Sequence, residues 1–248
     1  MESYKPTGAC CSQPVIVGPS YESKGSFTEV LRLKTYVSGP EQASKAVFVI
    51  YDVFGYSSQI LEGADKLAAA GYRVFMPDFW EGKPAPLDWM PMNSDYQDEK
   101  ALDDFCEGPG ETNKTVKKVI ELQAEYQRLN PAITRWVAVG YCWGPWIVPF
   151  VVGDGTPFAA CVQCHPGFPG VDVAEKVQAP LLSLCSKDEP ESSFAEFKPA
   201  LKVDNYFEVF KDQDHGWLSA RADLSKPSVR QAFDRGYRMM LDWFARYL

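Results

Sequence analysis

A cysteine between two glycines is the first candidate for chemistry in this 248-residue chain. The segment "VGYCWGPW" (139–146) ends an apolar run and places Cys142 between Gly140 and Gly144, ahead of an expected helix. A nucleophile on a sharp strand-to-helix turn needs such glycines, because side chains there would collide with the strand and the helix. A helix N-terminus also favours a thiolate and offers N–H groups to an oxyanion. The spacing therefore indicates acyl transfer by a thiol, and the alternative is a buried structural cysteine beside two incidental glycines.

A thiol nucleophile needs a histidine base and a carboxylate that orients it. The chain has only two histidines, His165 and His215. His215 lies between the last expected strand and the C-terminal helix, and Asp188 ends the strand before it. The order nucleophile, acid, histidine is that of the α/β-hydrolases. We therefore predict a triad of Cys142, Asp188 and His215 at one edge of a sheet.

The segment C-x-x-C-H, formed by Cys161, Cys164 and His165, formally matches a haem attachment signal. It falls on an expected strand, where residues i and i+3 face opposite sides, and zinc would lack an obvious fourth ligand. We therefore expect neither haem nor a metal ion. His165 is interpreted as a hydrogen-bonded structural histidine, with a place beside the active site as the alternative.

Short apolar runs alternate with helical patterns along the chain, which predicts an α/β fold with a mostly parallel sheet and helices on both faces. Helices are expected over 57–72, 111–131 and 228–248, and strands over 27–37, 45–52, 73–78, 135–142, 159–165, 180–188 and 205–215. The length favours one domain over residues 1–248. Residues 1–25 would form an N-terminal extension, and the Pro- and Gly-rich segment 81–110 a cap-like excursion.

The overall composition limits the partners of the chain. A formal net charge of −8 opposes contact with nucleic acid or anionic lipid. No apolar run is long enough to span a membrane, and the first residues lack a secretory signal, so a cytoplasmic location is expected. The odd number of cysteines, seven, favours free thiols. We expect a small-molecule partner and either a monomer or a homodimer.

Several segments together resemble the dienelactone hydrolase family, in the branch common among fungal proteins. Besides GYCWG they are "VIYDVFGYS" (49–57), "GADKLAAAGYRVFMPDFWEGKP" (63–84), "QCHPG" (163–167), "SKDE" (186–189) and "HGWLSARADL" (215–224). The resemblance runs nearly end to end. It implies an α/β-hydrolase fold, no metal or organic cofactor, and a catalytic triad that falls on Cys142, Asp188 and His215.

The resemblance also assigns roles around the nucleophile. It implies an oxyanion hole made by the backbone N–H groups of Val53 and Trp143. It further implies that Asp52 takes the place of an acid that contacts the resting thiol. The alternative for Asp52 is a strand-end residue that hydrogen-bonds to local backbone.

Departures from the family pattern bear on the substrate. Pro145 and Trp146 follow the motif where the family usually has another glycine, and Pro149 lies one turn later, so the helix is expected to be short or kinked. Bacterial members hold a substrate carboxylate with arginines, whereas the segment after "PDFW" offers Glu81 and Lys83. Recognition of that diacid is therefore not expected.

Aromatic residues are concentrated in the expected site loops, which suits an aromatic substrate, although half of them are interpreted as core. Arg221 is an anion contact or, alternatively, part of a surface salt bridge. The residues predicted to bind substrate are Phe54, Tyr56, Trp80, Lys83, Trp146, His165, Trp217 and Arg221. The sequence thus predicts a cysteine hydrolase of a lactone or activated ester. The alternatives are a tailoring enzyme that cleaves a carbon-carbon bond or closes a ring, and a non-catalytic binding protein of the same fold.

Overall fold

The computed structural model describes Tyr4 and residues 14–17, 20–89 and 96–248. Eight strands form one sheet in the order β1-β2-β4-β3-β5-β6-β7-β8. They are β1 (Ser26–Val30), β2 (Leu33–Ser38), β3 (Lys45–Ile50), β4 (Arg73–Pro77), β5 (Arg135–Tyr141), β6 (Phe158–Cys164), β7 (Leu181–Ser186) and β8 (Asn205–Phe210). Strand β2 is antiparallel to both of its neighbours, and β4, β3, β5, β6, β7 and β8 pair in parallel. The predicted mostly parallel sheet is confirmed.

Helices cover this sheet, as the alternating pattern predicts. They are α1 (Ser58–Ala69), α2 (Tyr96–Glu107), α3 (Thr112–Leu129), α4 (Gly144–Val151), α5 (Val171–Ala174), α6 (Phe197–Ala200) and α7 (Pro227–Tyr247), with 3₁₀ turns at Leu87–Trp89 and Glu191–Phe194. Helix α1 packs with α7, and α3 packs with α4. Within the described ranges, none of these helices combines the length and apolar character that crossing a membrane requires.

The ends of α1 follow from its sequence. The Ser57 side chain accepts the N–H of Ile60 at 3.3 Å, which caps one of the unpaired donors of the first turn. After the last turn, Gly71 adopts φ +95°, a left-handed conformation that glycine reaches without steric cost. Both signals were readable in the sequence, and the predicted helix is confirmed with slightly tighter bounds.

The prediction of a single opening strand over 27–37 was wrong. The chain instead forms a hairpin of β1 and β2, which pair from Ser26 with Val37 to Val30 with Leu33. The two turn residues, Leu31 and Arg32, have φ +50° and +66°. A two-residue hairpin with both central residues left-handed normally uses Asn or Gly. Because Leu and Arg occupy the turn here, the sequence carried no turn signal.

The excursion over 81–110 contains a helix that was not predicted, α2. The Phe105 ring on α2 lies 4.5 Å from the ring of Trp80 and 6.0 Å from that of Trp89, centroid to centroid. The excursion is therefore packed onto the loop that follows β4. Residues 90–95 lie outside the described residues, and so do Cys10 and Cys11 in the N-terminal extension. The single-domain organisation stays a prediction.

Candidate active site

Cys142 lies on a sharp turn between β5 and α4, with a left-handed backbone at φ +56°. That conformation is unfavourable for a residue with a side chain. A Cβ atom on Gly140 would lie 2.5 Å from the carbonyl carbon of Gly144, and one on Gly144 would lie 2.1 Å from the Ile50 oxygen. Neither distance is physically possible. The turn therefore requires both glycines, which excludes the interpretation that they are incidental.

The helix after Cys142 has eight residues and contains two prolines. Pro149 has no N–H to donate to the carbonyl of Pro145, so a normal helical bond is missing there. The fully buried side chain of Gln163 on β6 replaces it, since its Nε2 donates to the Pro145 oxygen at 2.8 Å. Trp143 already has helical angles, φ −67° and ψ −37°, so its N–H belongs to the first turn, whose donors have no intrahelical acceptor. The short helix expected from the prolines is confirmed.

The carboxylate against the His215 ring belongs to Glu189. The Nδ1 atom of His215 lies 2.6 Å from Glu189 Oε1, and both side chains are buried. The other carboxylate oxygen of Glu189 accepts the N–H of Ser186 at 2.7 Å, which fixes its orientation. Asp188 instead accepts the backbone N–H of His215 at 2.7 Å.

The prediction that Asp188 orients the imidazole therefore differs from the structure. Asp188 holds the main chain of His215, while its neighbour Glu189 contacts the ring. The motif "SKDE" places two carboxylates in one turn, and sequence spacing alone does not decide which of them points inward. The turn decides it, because Ser186 Oγ accepts the N–H of Asp188 at 3.1 Å while the Ser186 N–H binds Glu189.

His165 contacts His215 directly. It follows β6, is fully buried, and has φ +42°, and its N–H donates to the Leu184 oxygen at 2.7 Å. Its ring centroid lies 4.9 Å from that of His215 at an interplanar angle of 66°. Its Nε2 lies 3.5 Å from the Oγ atom of Ser219. Ser219 was not predicted from the sequence as a site residue. His165 is therefore both hydrogen-bonded and adjacent to His215 at the edge of the candidate site.

Asp52 joins the end of β3 to the loop after His215. Its buried carboxylate accepts the N–H of Phe54 at 2.9 Å and the N–H of Ala220 at 3.3 Å. Burial raises the pKa of Asp52, opposed by hydrogen bonds from Ser219 and both N–H groups and by the charge of Arg221. Asp52 therefore makes the local backbone contact considered for it and a remote one as well. Its contact with the thiol stays a prediction.

Several predicted substrate-binding aromatics are packed into loops or core. The Trp80 indole donates to the Asp52 carbonyl at 3.0 Å, and its ring lies 4.4 Å from that of Trp143. The Trp217 ring lies 4.2 Å from that of Phe210 and is 2% exposed. Tyr56 donates to the Met76 carbonyl at 2.7 Å. In these three cases the interpretation as core packing accounts for the contacts.

The other predicted contact residues are distributed differently. Lys83 is exposed, whereas Arg221 is only 8% exposed, with its guanidinium 5.5 Å from the centroid of the Phe54 ring. Arg221 is therefore buried and does not lie on the surface, and its role as an anion contact stays a prediction. Trp146 donates to Thr112 Oγ1 at 3.1 Å and borders a cavity of about 950 Å³.

Three other cysteines differ from Cys142 in their setting. Cys161 and Cys164 are part of β6, and Cys185 is part of β7. Burial raises the pKa of all three thiols, that of Cys185 to about 12, which keeps them protonated and unreactive. Among the described residues no group of His, Cys, Asp or Glu has the arrangement to hold a metal ion.

The fold is that of the α/β-hydrolases. It carries a glycine-flanked turn before α4 and a histidine held by a carboxylate after β8, which is the arrangement expected of a hydrolase site on this fold. The family profile described as dienelactone hydrolase matches residues 33–248, so the chain belongs to the dienelactone hydrolase family. Membership of this family supports hydrolysis of an ester or lactone.

Individual relatives agree with this assignment. An uncharacterized AIM2 family protein of Schizosaccharomyces pombe is 38% identical over 91% of this chain and 92% of its own length. The hydrolase pyvD of Aspergillus violaceofuscus is 29% identical over 100% of this chain and 99% of its own. The crystal structure of a putative dienelactone hydrolase from Klebsiella pneumoniae has the same fold, with a TM-score of 0.69 and 20% identity over 92% of this chain and 97% of that chain.

Proposed function

We propose that this protein is a cysteine hydrolase of a lactone or activated ester, with Cys142 as nucleophile and His215 as base. The observation that carries the proposal is the left-handed Cys142 on a turn whose two glycines cannot be replaced. At a turn of this kind the nucleophile side chain is directed away from both the strand and the helix, which is how such a turn presents it to a carbonyl substrate. Attack at that point lets the first turn of α4 stabilise the developing oxyanion.

In the proposed reaction, His215 Nε2 takes the proton of Cys142 Sγ and the sulfur attacks the carbonyl carbon. The oxyanion binds the N–H groups of Trp143 and Val53. The tetrahedral intermediate collapses to a thioester when the ester C–O bond breaks, and the leaving oxygen takes the proton from His215. Water, deprotonated by His215, then attacks the thioester, and the released thiolate regains its proton.

The carboxylate of Glu189 orients the base. In the proposed tautomer it accepts the Nδ1–H of His215, so Nε2 is the ring nitrogen that takes the proton of the thiol. It also stabilises the imidazolium that forms when the thiol loses its proton. Asp188 accepts the backbone N–H of His215 and so helps to hold its ring against the Glu189 carboxylate. The triad is thus Cys142, His215 and Glu189, with Asp188 as a positioning residue.

Trapping the thioester tests this proposal. The protein is incubated with p-nitrophenyl acetate and with aryl lactones, and its intact mass is followed together with product release. We expect an acyl adduct on Cys142, and we expect Cys142→Ala to retain its fold and lose hydrolysis by about 1,000-fold or more.

Cys161→Ala is the matched control, because it also removes a buried thiol but not one on the turn. This control should keep its activity and form the adduct. Full hydrolysis by folded Cys142→Ala would exclude the cysteine mechanism. Ligand binding without any turnover, unaltered by the substitution, would instead identify a non-catalytic binding protein.

A further inference from the structure

Tyr4 lies inside the protein beside the candidate site. Its side chain is 1% exposed, although it comes almost at the start of the chain. Its ring packs edge-on against that of Trp146, with the centroids 5.8 Å apart and the planes at 67°. On the other side it lies so close to Gly167 that a Cβ atom there would be 3.1 Å from the Tyr4 ring. The ring therefore fills a slot between Trp146 and Gly167.

Both walls of this slot come from elements that carry catalytic groups. Trp146 is the fourth residue after Cys142 and lies in the first turn of α4, the helix that begins directly after the nucleophile turn. Gly167 is the second residue after His165, whose ring contacts His215. Tyr4 consequently lies between the element of the nucleophile and the element that supports the base.

The catalytic groups are closed off in this structure. Cys142 is 2% exposed and His215 is 1% exposed. The cavity of about 950 Å³ begins at Trp146 and Gly170 and runs along α4 to Phe150 and Gly153. Trp146 is therefore shared by the cavity and by the slot that holds the Tyr4 ring.

We propose that Tyr4 occupies an aryl subsite of the catalytic pocket, and that the substrate carries an aromatic ring that replaces the Tyr4 ring. This inference rests on the proposed function and adds the substrate class to it. A flat ring fits because Trp146 presents an aromatic surface for edge contact and Gly167 leaves no side chain opposite. The ring of the substrate takes the slot, and its reactive carbonyl reaches Cys142.

The charge along the cavity agrees with an uncharged ligand. Among the described residues that line it, three carry carboxylates and one carries a cation: Asp154, Asp172, Glu175 and Lys176. Lys176 is already close to Asp172, at 3.8 Å. A substrate carboxylate would therefore be repelled there, whereas a neutral aryl ester or aryl lactone would not.

Alkylation of Cys142 by two reagents tests the subsite. Bromoacetone and 2-bromoacetophenone react alike, since the thiolate displaces bromide to form a thioether, but only the second carries a phenyl ring. Alkylation is followed by intact mass and peptide mapping. In Tyr4→Ala we expect the rate ratio of the phenyl reagent to the methyl reagent to rise by about tenfold.

Two variants serve as controls. Tyr4→Phe keeps the ring and should keep the ratio of the parent. Tyr72 is another buried tyrosine; it directly precedes β4, and its ring packs against Phe244. Tyr72→Ala should also leave the rate ratio unchanged. If Tyr4→Ala does not fold, Tyr4→Leu opens the slot with a smaller loss of apolar surface.

p-Cresol, which has the chemistry of the Tyr4 side chain, supplies a second measurement. It should protect Cys142 from 2-bromoacetophenone in Tyr4→Ala and have little effect in the parent. An unchanged rate ratio in folded Tyr4→Ala and Tyr4→Leu, or an equal rise in Tyr72→Ala, would overturn the subsite.

These outcomes are separable from those of the proposed function, because alkylation requires a thiol but no hydrolysis. A ratio that depends on Tyr4 without any turnover supports the aryl subsite and contradicts the hydrolase. Turnover with a rate ratio that does not depend on Tyr4 supports the hydrolase and contradicts the aryl subsite.

Discussion

Two of the buried polar clusters that contain carboxylates are built in opposite ways. The first, the Asp65 cluster, consists of Tyr21, Lys24, Tyr36 and Ser38 around Asp65. One oxygen of Asp65 accepts from Tyr36 Oη at 2.7 Å and Ser38 Oγ at 2.6 Å. The other accepts from Tyr21 Oη at 3.0 Å and the Lys24 N–H at 2.8 Å. A single acceptor group is thus surrounded by donors.

The second cluster, called the catalytic cluster after the proposed function, consists of Cys142, His165, His215, Glu189 and Asp52. Here groups that can gain or lose a proton lie against one another, as in the pairs of His215 with Glu189 and with His165. Two of its members, Cys142 and His165, have left-handed backbones. Strained backbone and adjacent acid-base groups are typical of functional sites.

The comparison distinguishes the Asp65 carboxylate, which stabilises the fold, from the carboxylates to which the proposed function gives a role in catalysis. In the Asp65 cluster, burial together with Asp65 raises the pKa of Tyr36, so its hydroxyl remains a donor. No proton needs to move for that cluster to stay intact. In the reaction proposed for the catalytic cluster, a proton travels between Cys142 and His215, so the cluster must accommodate both protonation states.

The largest effect on hydrolysis within the catalytic cluster, apart from loss of the thiol, is expected from His215→Asn. Asparagine keeps a polar side chain but cannot accept the thiol proton at neutral pH. The rate constant for acylation should fall by about 100-fold or more. The measurement is kcat/KM for an aryl ester in protein with an unchanged thermal midpoint.

His165→Asn is the comparison for that variant. His165 contacts the His215 ring but need not accept the thiol proton, so its loss should cost less than the loss of His215. A larger fall in His165→Asn than in His215→Asn would assign the base to His165 and overturn the proposed triad.

The next effect distinguishes two neighbouring carboxylates. Glu189→Gln leaves a side chain of the same size but removes the charge that orients the His215 ring. We expect kcat to fall by about 10-fold to 100-fold, and more steeply than in Asp188→Asn. The pH profile of kcat should also change in Glu189→Gln, since the pKa of the base depends on the carboxylate beside it.

Asp188→Asn is the matched control for loss of a carboxylate in the same turn. Its main effect should be on stability, because Asp188 binds the backbone of His215. If Asp188→Asn lost more activity than Glu189→Gln in folded protein, the carboxylate predicted from the sequence would be the orienting one.

The sequence predicted the framework of this site better than its contacts. Glycine spacing predicted the turn at Cys142 because a Cβ atom at either glycine would collide with backbone. The sequence did not show which of Asp188 and Glu189 contacts the His215 ring, because neighbouring residues in a turn point in different directions. The burial of Tyr4 was also missed, since its partners Trp146 and Gly167 lie more than a hundred residues away in the chain. Contacts of that kind depend on tertiary packing and leave no local pattern.

A smaller effect is expected from Asp52, and it depends on pH. Burial raises the pKa of Asp52 above its ordinary value of about 3.9. Between the ordinary and the raised pKa the native protein binds more protons than the unfolded chain, so the free energy of unfolding falls as pH rises. In Asp52→Asn this contribution is absent. The stability advantage of the parent over the variant should therefore shrink as the pH rises from about 4 through the raised pKa of Asp52.

Urea unfolding of both proteins across that range measures this difference. An advantage that stays constant or grows with pH would contradict the raised pKa. Alkylation of Cys142 in the same two proteins tests the predicted thiol contact. Its pH midpoint should be lower in Asp52→Asn, because a carboxylate near the sulfur opposes the thiolate. An unchanged midpoint would remove Asp52 from the mechanism.

The smallest effect on hydrolysis is expected from Asp65→Asn. The amide keeps one acceptor oxygen but turns an NH₂ group towards two of the four donors, which are then left without an acceptor. We expect the free energy of unfolding to fall by about 1–3 kcal/mol for the unsatisfied buried groups. Because the Asp65 cluster joins α1 to β2 and the N-terminal segment, kcat/KM measured well below the unfolding midpoint should stay within about twofold of the parent. If folded Asp65→Asn lost as much kcat/KM as Glu189→Gln, the two clusters would be coupled through α1. The Asp65 cluster would then serve catalysis as well as stability, contrary to the contrast drawn from its hydrogen-bond donors.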